Sequence, residues 1–179
     1  MRVIGGSAKG RRLRGPRGRS TRPTSDLVRG AIFDILASLG ADLSRVLDLY
    51  AGTGALGIEA LSRGSEWCDF VERDRASCET IRENLAHTGL VEKAKVNCWP
   101  VEKAEARLSG PYSLLLADPP YGAEETDKVL AAWGSSSKLT RAAIMVLEHS
   151  RHRPAAPALG DRRLLDSRRH GDTCISIYR

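Results

Sequence analysis

The sequence predicts an α/β fold: a mostly parallel sheet with helices packed on both faces. Three observations carry that expectation. Apolar strand-like runs alternate with helix-periodic segments from Val46 to Leu147, a glycine-rich turn follows the first of those runs, and Tyr112–Ala117 is apolar enough for a strand buried on both sides.

The chain has 179 residues, 41% hydrophobic and 28% charged, which suits one globular domain with a sizeable core and excludes a disordered chain. It contains no apolar run long enough to span a bilayer and no apolar signal-peptide core, so a cytoplasmic location without membrane contact is expected. Cys68, Cys78, Cys98 and Cys174 are widely spaced and form no Cys-x-x-Cys pair, which predicts reduced, mostly buried thiols and no metal site. His87, His149, His152 and His170 show no ligand or nucleophile spacing, so each is expected at the surface or hydrogen-bonded.

Charge is unevenly spread. Residues 1–30 carry Lys9 and eight arginines against Asp26 alone, a balance of +8; residues 31–150 sum to −6, and residues 151–179 to +4. A basic arm on an acidic body points to a polyanionic partner, and the arginine fork suits phosphates and base edges. The expected nucleic-acid contacts are Lys9, Arg11, Arg12, Arg14, Arg22 and Thr24, with residues 1–24 forming a small basic arm or hairpin and residues 25–179 the main domain. No internal repeat and no linker divides the latter.

Taken in order, Pro23, Thr24 and Ser25 stop the arm and cap a helix reaching about Gly40, whose apolar face is Leu27, Ala31, Ile32, Ile35, Leu36 and Leu39. Val46–Tyr50 is a short strand, and the glycine turn after it opens a helix through Leu61. A strand from Trp67 to Val71 ends at Glu72, a helix covers Arg75–Thr88 and stops at Gly89, and Lys95–Cys98 is a third strand. A brief helix over Val101–Leu108 leads to the buried strand; a helix from about Glu124 to Trp133 and a strand over Ala142–Leu147 follow. Arg162–Asp166 and Thr173–Tyr178, turning around Gly171-Asp172, form a closing antiparallel hairpin.

Gly52, Gly54 and Gly57 fit G-x-G-x-x-G, with Glu72 twenty residues after the first glycine. Taken literally this is a dinucleotide fingerprint, and Glu72 could bond ribose hydroxyls of NAD or of S-adenosylmethionine. Asp48 discriminates. A carboxylate just before the glycines would repel a pyrophosphate, whereas S-adenosylmethionine has no phosphate and carries an ammonium and a sulfonium.

Asp118-Pro119-Pro120-Tyr121 leaves the buried strand. Two prolines end the ladder and turn the chain outward in a stiff conformation, which sets a carboxylate, fixed carbonyls and an aromatic face at the carboxyl edge where open α/β sheets bind ligands. Asp118 and the Pro119 carbonyl can accept both N–H bonds of a nucleobase amino group, and Tyr121 can stack on the ring.

With these residues in view, the chain resembles the RsmD-type family of small-subunit ribosomal RNA guanine-N2 methyltransferases. The resemblance lies in Met1-Arg2-Val3-Ile4-Gly5-Gly6, Arg22-Pro23-Thr24-Ser25-Asp26, Asp48 through Gly57, Glu72, Asp118 through Tyr121, and Gly171-Asp172-Thr173. It implies a Rossmann-like, seven-stranded methyltransferase sheet, S-adenosylmethionine as methyl donor, and a guanine of 16S ribosomal RNA in the small subunit as acceptor, with a monomeric enzyme and no metal. Asp48, Tyr50, Gly52, Thr53, Gly54, Glu72 and Arg73 would then hold the cofactor, and Asp118, Pro119 and Tyr121 would act on the base. Two positions depart from the family. Asn97-Cys98-Trp99 stands where an acid usually meets the adenine, leaving adenine to backbone or stacking contacts, and His170 replaces a tyrosine. The alternatives are a DNA adenine-N6 methyltransferase and a non-catalytic RNA-binding assembly factor.

Overall fold

The computed structural model describes residues 1–15, 26–120 and 124–179. Its helices are α1 (Asp26–Ser38), α2 (Ala55–Ser62), α3 (Arg75–Thr88), α4 (Ala104–Arg107) and α5 (Glu124–Gly134). Its strands are β1 (Arg45–Leu49), β2 (Trp67–Glu72), β3 (Ala94–Cys98), β4 (Tyr112–Ala117), β5 (Leu139–Ser150), β6 (Ala158–Leu159), β7 (Arg162–His170) and β8 (Thr173–Tyr178).

One sheet takes all the strands in the order β3-β2-β1-β4-β5-β8-β7-β6. The first five are parallel, and β8 and β7 return antiparallel. Strand order reverses between β1 and β4, so the crevice at their carboxyl ends is the topological switch point. The resemblance implied seven strands; the eighth is β6, a two-residue edge piece paired only with Arg162 and Arg163 of β7. Its brevity leaves no hydrophobic alternation to read, and a short edge strand also limits edge-to-edge pairing.

Alternation across the pleat gives two cores. Val46, Phe70, Leu114, Leu116, Ile144 and Ile177 pack under α1, α2 and α3, whereas Leu47, Leu49, Val71, Leu115, Met145 and Tyr178 pack under α4 and α5. The register aligns Leu49 with Val71 and Ala117, and Ala117 with Leu147, which brings four strand ends to one level.

Three elements differ in extent from the sequence reading. β5 begins at Leu139 and runs to Ser150, beyond the apolar Ala142–Leu147, because β8 gives its polar end a hydrogen-bonded partner as far as Ser150–Thr173. β7 likewise continues to His170. Val101–Leu108 is a 3-10 turn over Val101–Lys103 followed by the single turn α4. The cap residues Thr24 and Ser25 lie outside the described residues.

Residues 1–14 form a small hairpin, with Arg2 bridged to Arg12, the Val3 N–H on the Arg11 carbonyl at 3.0 Å and the Leu13 N–H on the Met1 carbonyl at 3.1 Å. The hairpin buries Val3, Ala8 and Leu13 in the α1–α3 core. Its backbone is held by side chains: Glu59 accepts the N–H groups of Ile4 and Gly5, each at 2.8 Å, and Ser62 Oγ accepts that of Ala8 at 2.9 Å. Glu59 is fully buried, is reached by Arg63 Nε at 2.8 Å, and lies 3.6 Å from the equally buried Arg29. The three hydrogen bonds that Glu59 accepts, from Ile4, Gly5 and Arg63, offset the water its carboxylate gives up on burial.

Candidate active site

The turn after β1 is built by its backbone. Tyr50 takes φ 58°, unusual for a residue with a side chain, and Gly52 and Gly54 follow at φ 54° and 77°. Gly54 caps α2 without a side-chain bond, leaving the helix start bare. The three glycines have different tasks. A Cβ on Gly57 would lie 2.4 Å from the buried ring of Phe70, so Gly57 lets α2 approach β2; a Cβ on Gly52 would meet only the Tyr50 carbonyl, at 3.9 Å, so its face is open.

Two carboxylates hold this turn from below and from the side. Asp48, 1% exposed, accepts the Gly57 N–H at 2.8 Å. Burial pushes its pKa up to about 8 against the pull of that hydrogen bond, with the nearby Asp118 and Glu72 adding to the rise. The sequence reading set Asp48 at the methionine end of a cofactor; the fold gives it a seat beneath the glycine turn. Glu72, half-buried at the end of β2, accepts the Gly52 N–H at 2.9 Å and the Asp74 N–H at 2.8 Å. Asp74 itself caps α3 through Ser77, whose N–H lies 2.9 Å from it.

Thr53 is fixed through Asn84, a buried α3 residue whose amide donates to the carbonyls of Thr53 at 3.0 Å and Arg14 at 3.2 Å. Arg73 is exposed beside the turn, close enough to Tyr50 to act on its hydroxyl electrostatically, and the Tyr50 hydroxyl is also bonded to Thr126 of α5. The turn after β1 therefore meets the first turn of α5. Asp118 is half-buried and Pro119 buried at the exit of β4; Tyr121, Arg22 and Thr24 lie outside the described residues.

Past β3, Asn97 is turned inward and donates to Asp69 at 3.2 Å. Cys98 and Trp99, half-exposed, occupy the position where an acid would meet adenine, with Arg107 over the Trp99 ring at 5.1 Å. Asp69 was not singled out from sequence. It is buried in β2 and collects Trp67 Nε1 from the same strand together with Tyr112 Oη and Asn97 from 43 and 28 residues away, partners that sequence alone did not join. Cys68 and Cys78 are buried, but Cys98 and Cys174 are only partly so. Among the described residues, no group of His, Cys, Asp or Glu is arranged to hold a metal.

Of the arm's cations, Arg11 donates to the His87 carbonyl at 2.6 Å and Arg14 pairs with Glu83 at 2.7 Å, while Lys9 and Arg12 are exposed. The hairpin tip lies by Ser62 and His87 at the carboxyl ends of α2 and α3, away from the turn those helices share with β1.

An open sheet with a strained glycine turn at its switch point and a stiff Asp-Pro-Pro exit beside it defines a Rossmann-like methyltransferase. The chain belongs to the family described as conserved hypothetical protein 95, whose model matches residues 1–179, and this is the RsmD-type family. It is 37% identical, over 100% of its own length and 98% of the other, to a Bacillus subtilis protein provisionally named rRNA methyltransferase YlbH. It is 38% identical to the Escherichia coli ribosomal RNA small subunit methyltransferase D over 68% of this chain and 60% of that protein. The solved structure of yhhF from Escherichia coli, a provisionally assigned methyltransferase, superposes with a TM-score of 0.84 at 31% identity, covering 99% of this chain and 96% of that one.

Proposed function

We propose that this protein transfers a methyl group from S-adenosylmethionine to the exocyclic N2 of a guanine in 16S ribosomal RNA of the small subunit. The observation that carries the reading is the Asp118-Pro119 exit of β4, set against the glycine turn at the switch point, in a chain of the RsmD-type family. The residues present suit the cofactor: an open glycine face at Gly52, a half-exposed carboxylate at Glu72, and no anion-binding lysine or arginine in the turn.

When bound, S-adenosylmethionine supplies a methyl group activated by its sulfonium. Tyr50 through Gly54 would form its cradle, Glu72 would take ribose hydroxyls with lone pairs its backbone bonds leave over, and Cys98 with Trp99 would flank the adenine. Buried Asp48 acts through the turn it holds, by accepting the Gly57 N–H. The guanine amino lone pair is delocalised into the ring and is a poor nucleophile. Asp118 and the Pro119 carbonyl, accepting both amino N–H bonds, rotate that lone pair out of conjugation and toward the methyl, which is catalysis by positioning and electrostatics. Tyr121 stacks on the extruded base. The product proton leaves from the amino nitrogen to Asp118 or to water.

The test is transfer of labelled methyl to small subunits from cells lacking the protein, followed by nucleoside analysis. N2-methylguanosine in 16S ribosomal RNA is the expected product; label in N6-methyladenosine, or none despite measurable cofactor binding, rejects the reading.

A further inference from the structure

A groove of about 300 Å³ lies between α1 and β7, apart from the glycine turn, and is lined by Ala31, Asp34, Ile35, Ser38, Arg168 and His170. The four α1 residues are one stripe at i, i+3, i+4 and i+7, giving an apolar floor beside two polar side chains. Arg168 and His170 reach the groove because β7 slips register between Leu164 and Asp166. Before the slip, Arg162 bonds carbonyls of Gly134, Thr140, Arg141 and Ala143 under α5, and Leu164 packs on the same side. An uninterrupted alternation would send Arg168 and His170 to that side too; the bulge turns them to α1. Ser167 confirms the flip, lying 3.0 Å from Ser176 on the α5 side.

His170 Nε2 is buried in this wall and has no hydrogen-bond partner among the described residues. A shielded ring nitrogen is an unfilled polar position that a ligand can satisfy. Among the described residues Arg168 pairs with half-buried Asp166, at 2.7 Å, and such surface pairs exchange readily for a phosphate.

Location decides the occupant. Arg168 is in register with Ile175, and Ile175 with Glu148, one residue past the Leu147 that pairs with Ala117, so the groove stands level with Asp118. Three strand spacings, roughly 14 Å, separate β7 from β4. A strand whose target base enters beside Asp118 reaches the groove within a few nucleotides.

We propose that the α1–β7 groove holds an unstacked nucleotide of the substrate RNA flanking the target guanine. Its base lies on Ala31 and Ile35, its polar edge is met by Asp34, Ser38 and His170 Nε2, and its phosphate by Arg168. This rests on the RNA methyltransferase reading and adds a specificity site separate from the basic hairpin.

The test uses the double variant Arg168→Ala/His170→Ala, with Asp34→Asn as a second, and 4-thiouridine-substituted small-subunit RNA for crosslinking. Expected are a rise in KM for the subunit on the order of tenfold, with kcat and S-adenosylmethionine affinity unchanged, and wild-type crosslinks to residues 31–38 or 168–170. Unchanged KM with crosslinks elsewhere overturns the groove assignment. A raised KM without RNA crosslinks there also overturns it, marking a protein occupant. A wild type that methylates no RNA rejects the parent reading instead, and the crosslinks then decide the groove alone.

Discussion

Asp48 and Gly57 are joined by a 2.8 Å hydrogen bond that ties the end of β1 to the first turn of α2, with the whole glycine turn strung between them. Asp48→Ala leaves the Gly57 N–H buried and unpaired at a cost of about 1–3 kcal/mol, while Asp48→Asn keeps an acceptor and the fold. The carboxyl binds its proton up to about pH 8 when folded but only to about 3.8 when unfolded. Its contribution is therefore fully present below pH 3.8 and is lost as the pH rises to about 8. Thermal unfolding across that window should show a decline in the wild type that Asp48→Asn flattens. Parallel curves would assign the decline to other groups.

Gly52→Ala and Gly57→Ala should separate binding from packing. At position 57 the new methyl meets Phe70 and Cys68, both fully buried, and overpacking of this kind costs about 1–3 kcal/mol in the unfolding free energy. At position 52 the methyl meets no neighbour, but the left-handed backbone at φ 54° costs a residue with a Cβ about 1–2 kcal/mol, so cofactor affinity measured by calorimetry should fall by more than that strain accounts for.

Glu59→Ala removes the acceptor for Ile4 and Gly5 and leaves Arg29 without its buried carboxylate. A loss of about 3–5 kcal/mol is expected, read as a lower denaturation midpoint with the basic hairpin exposed to protease. Deleting residues 1–8 should be as damaging, so the arm's role in RNA binding is better tested by charge changes than by truncation.

Asp118→Ala should lower single-turnover methyl transfer by about 10²- to 10³-fold while S-adenosylmethionine binding is nearly retained. A variant keeping most of its rate would remove Asp118 from the chemistry.

Lys9→Glu and Arg12→Glu change exposed cations of the hairpin. If the hairpin contacts RNA, each should reduce the slope of log affinity against log salt by about 1 and leave cofactor affinity alone. An unchanged slope would place the RNA elsewhere.

Much of this fold was legible because local signals agreed with the tertiary outcome. α3 occupies the expected Arg75–Thr88, since Asp74 caps its start and Gly89, at φ 73°, ends it. β4 is also as read, its apolar run being buried on both faces. What escaped depends on partners distant in sequence. Glu59 looks like a solvent-facing helix residue until Ile4 and Gly5 arrive from 55 and 54 positions away, and His170 looks like a turn residue until a bulge turns it toward α1. Within the site, strand ends and glycines could be placed from the chain alone. The division of labour between Asp48 under the turn and Glu72 beside it could not, because both are acids at strand ends and only packing distinguishes them.

The docking of the first hairpin also sets an order of events during synthesis. Residues 1–14 are synthesised before Glu59, Ser62, Asn84 and His87, which hold them. Until α3 has emerged, the hairpin has only its own backbone bonds and α2 to hold it, and its cations stand unpaired by Glu83 and His87 on a nascent polypeptide. Completion of α3 converts the hairpin into a structural strap.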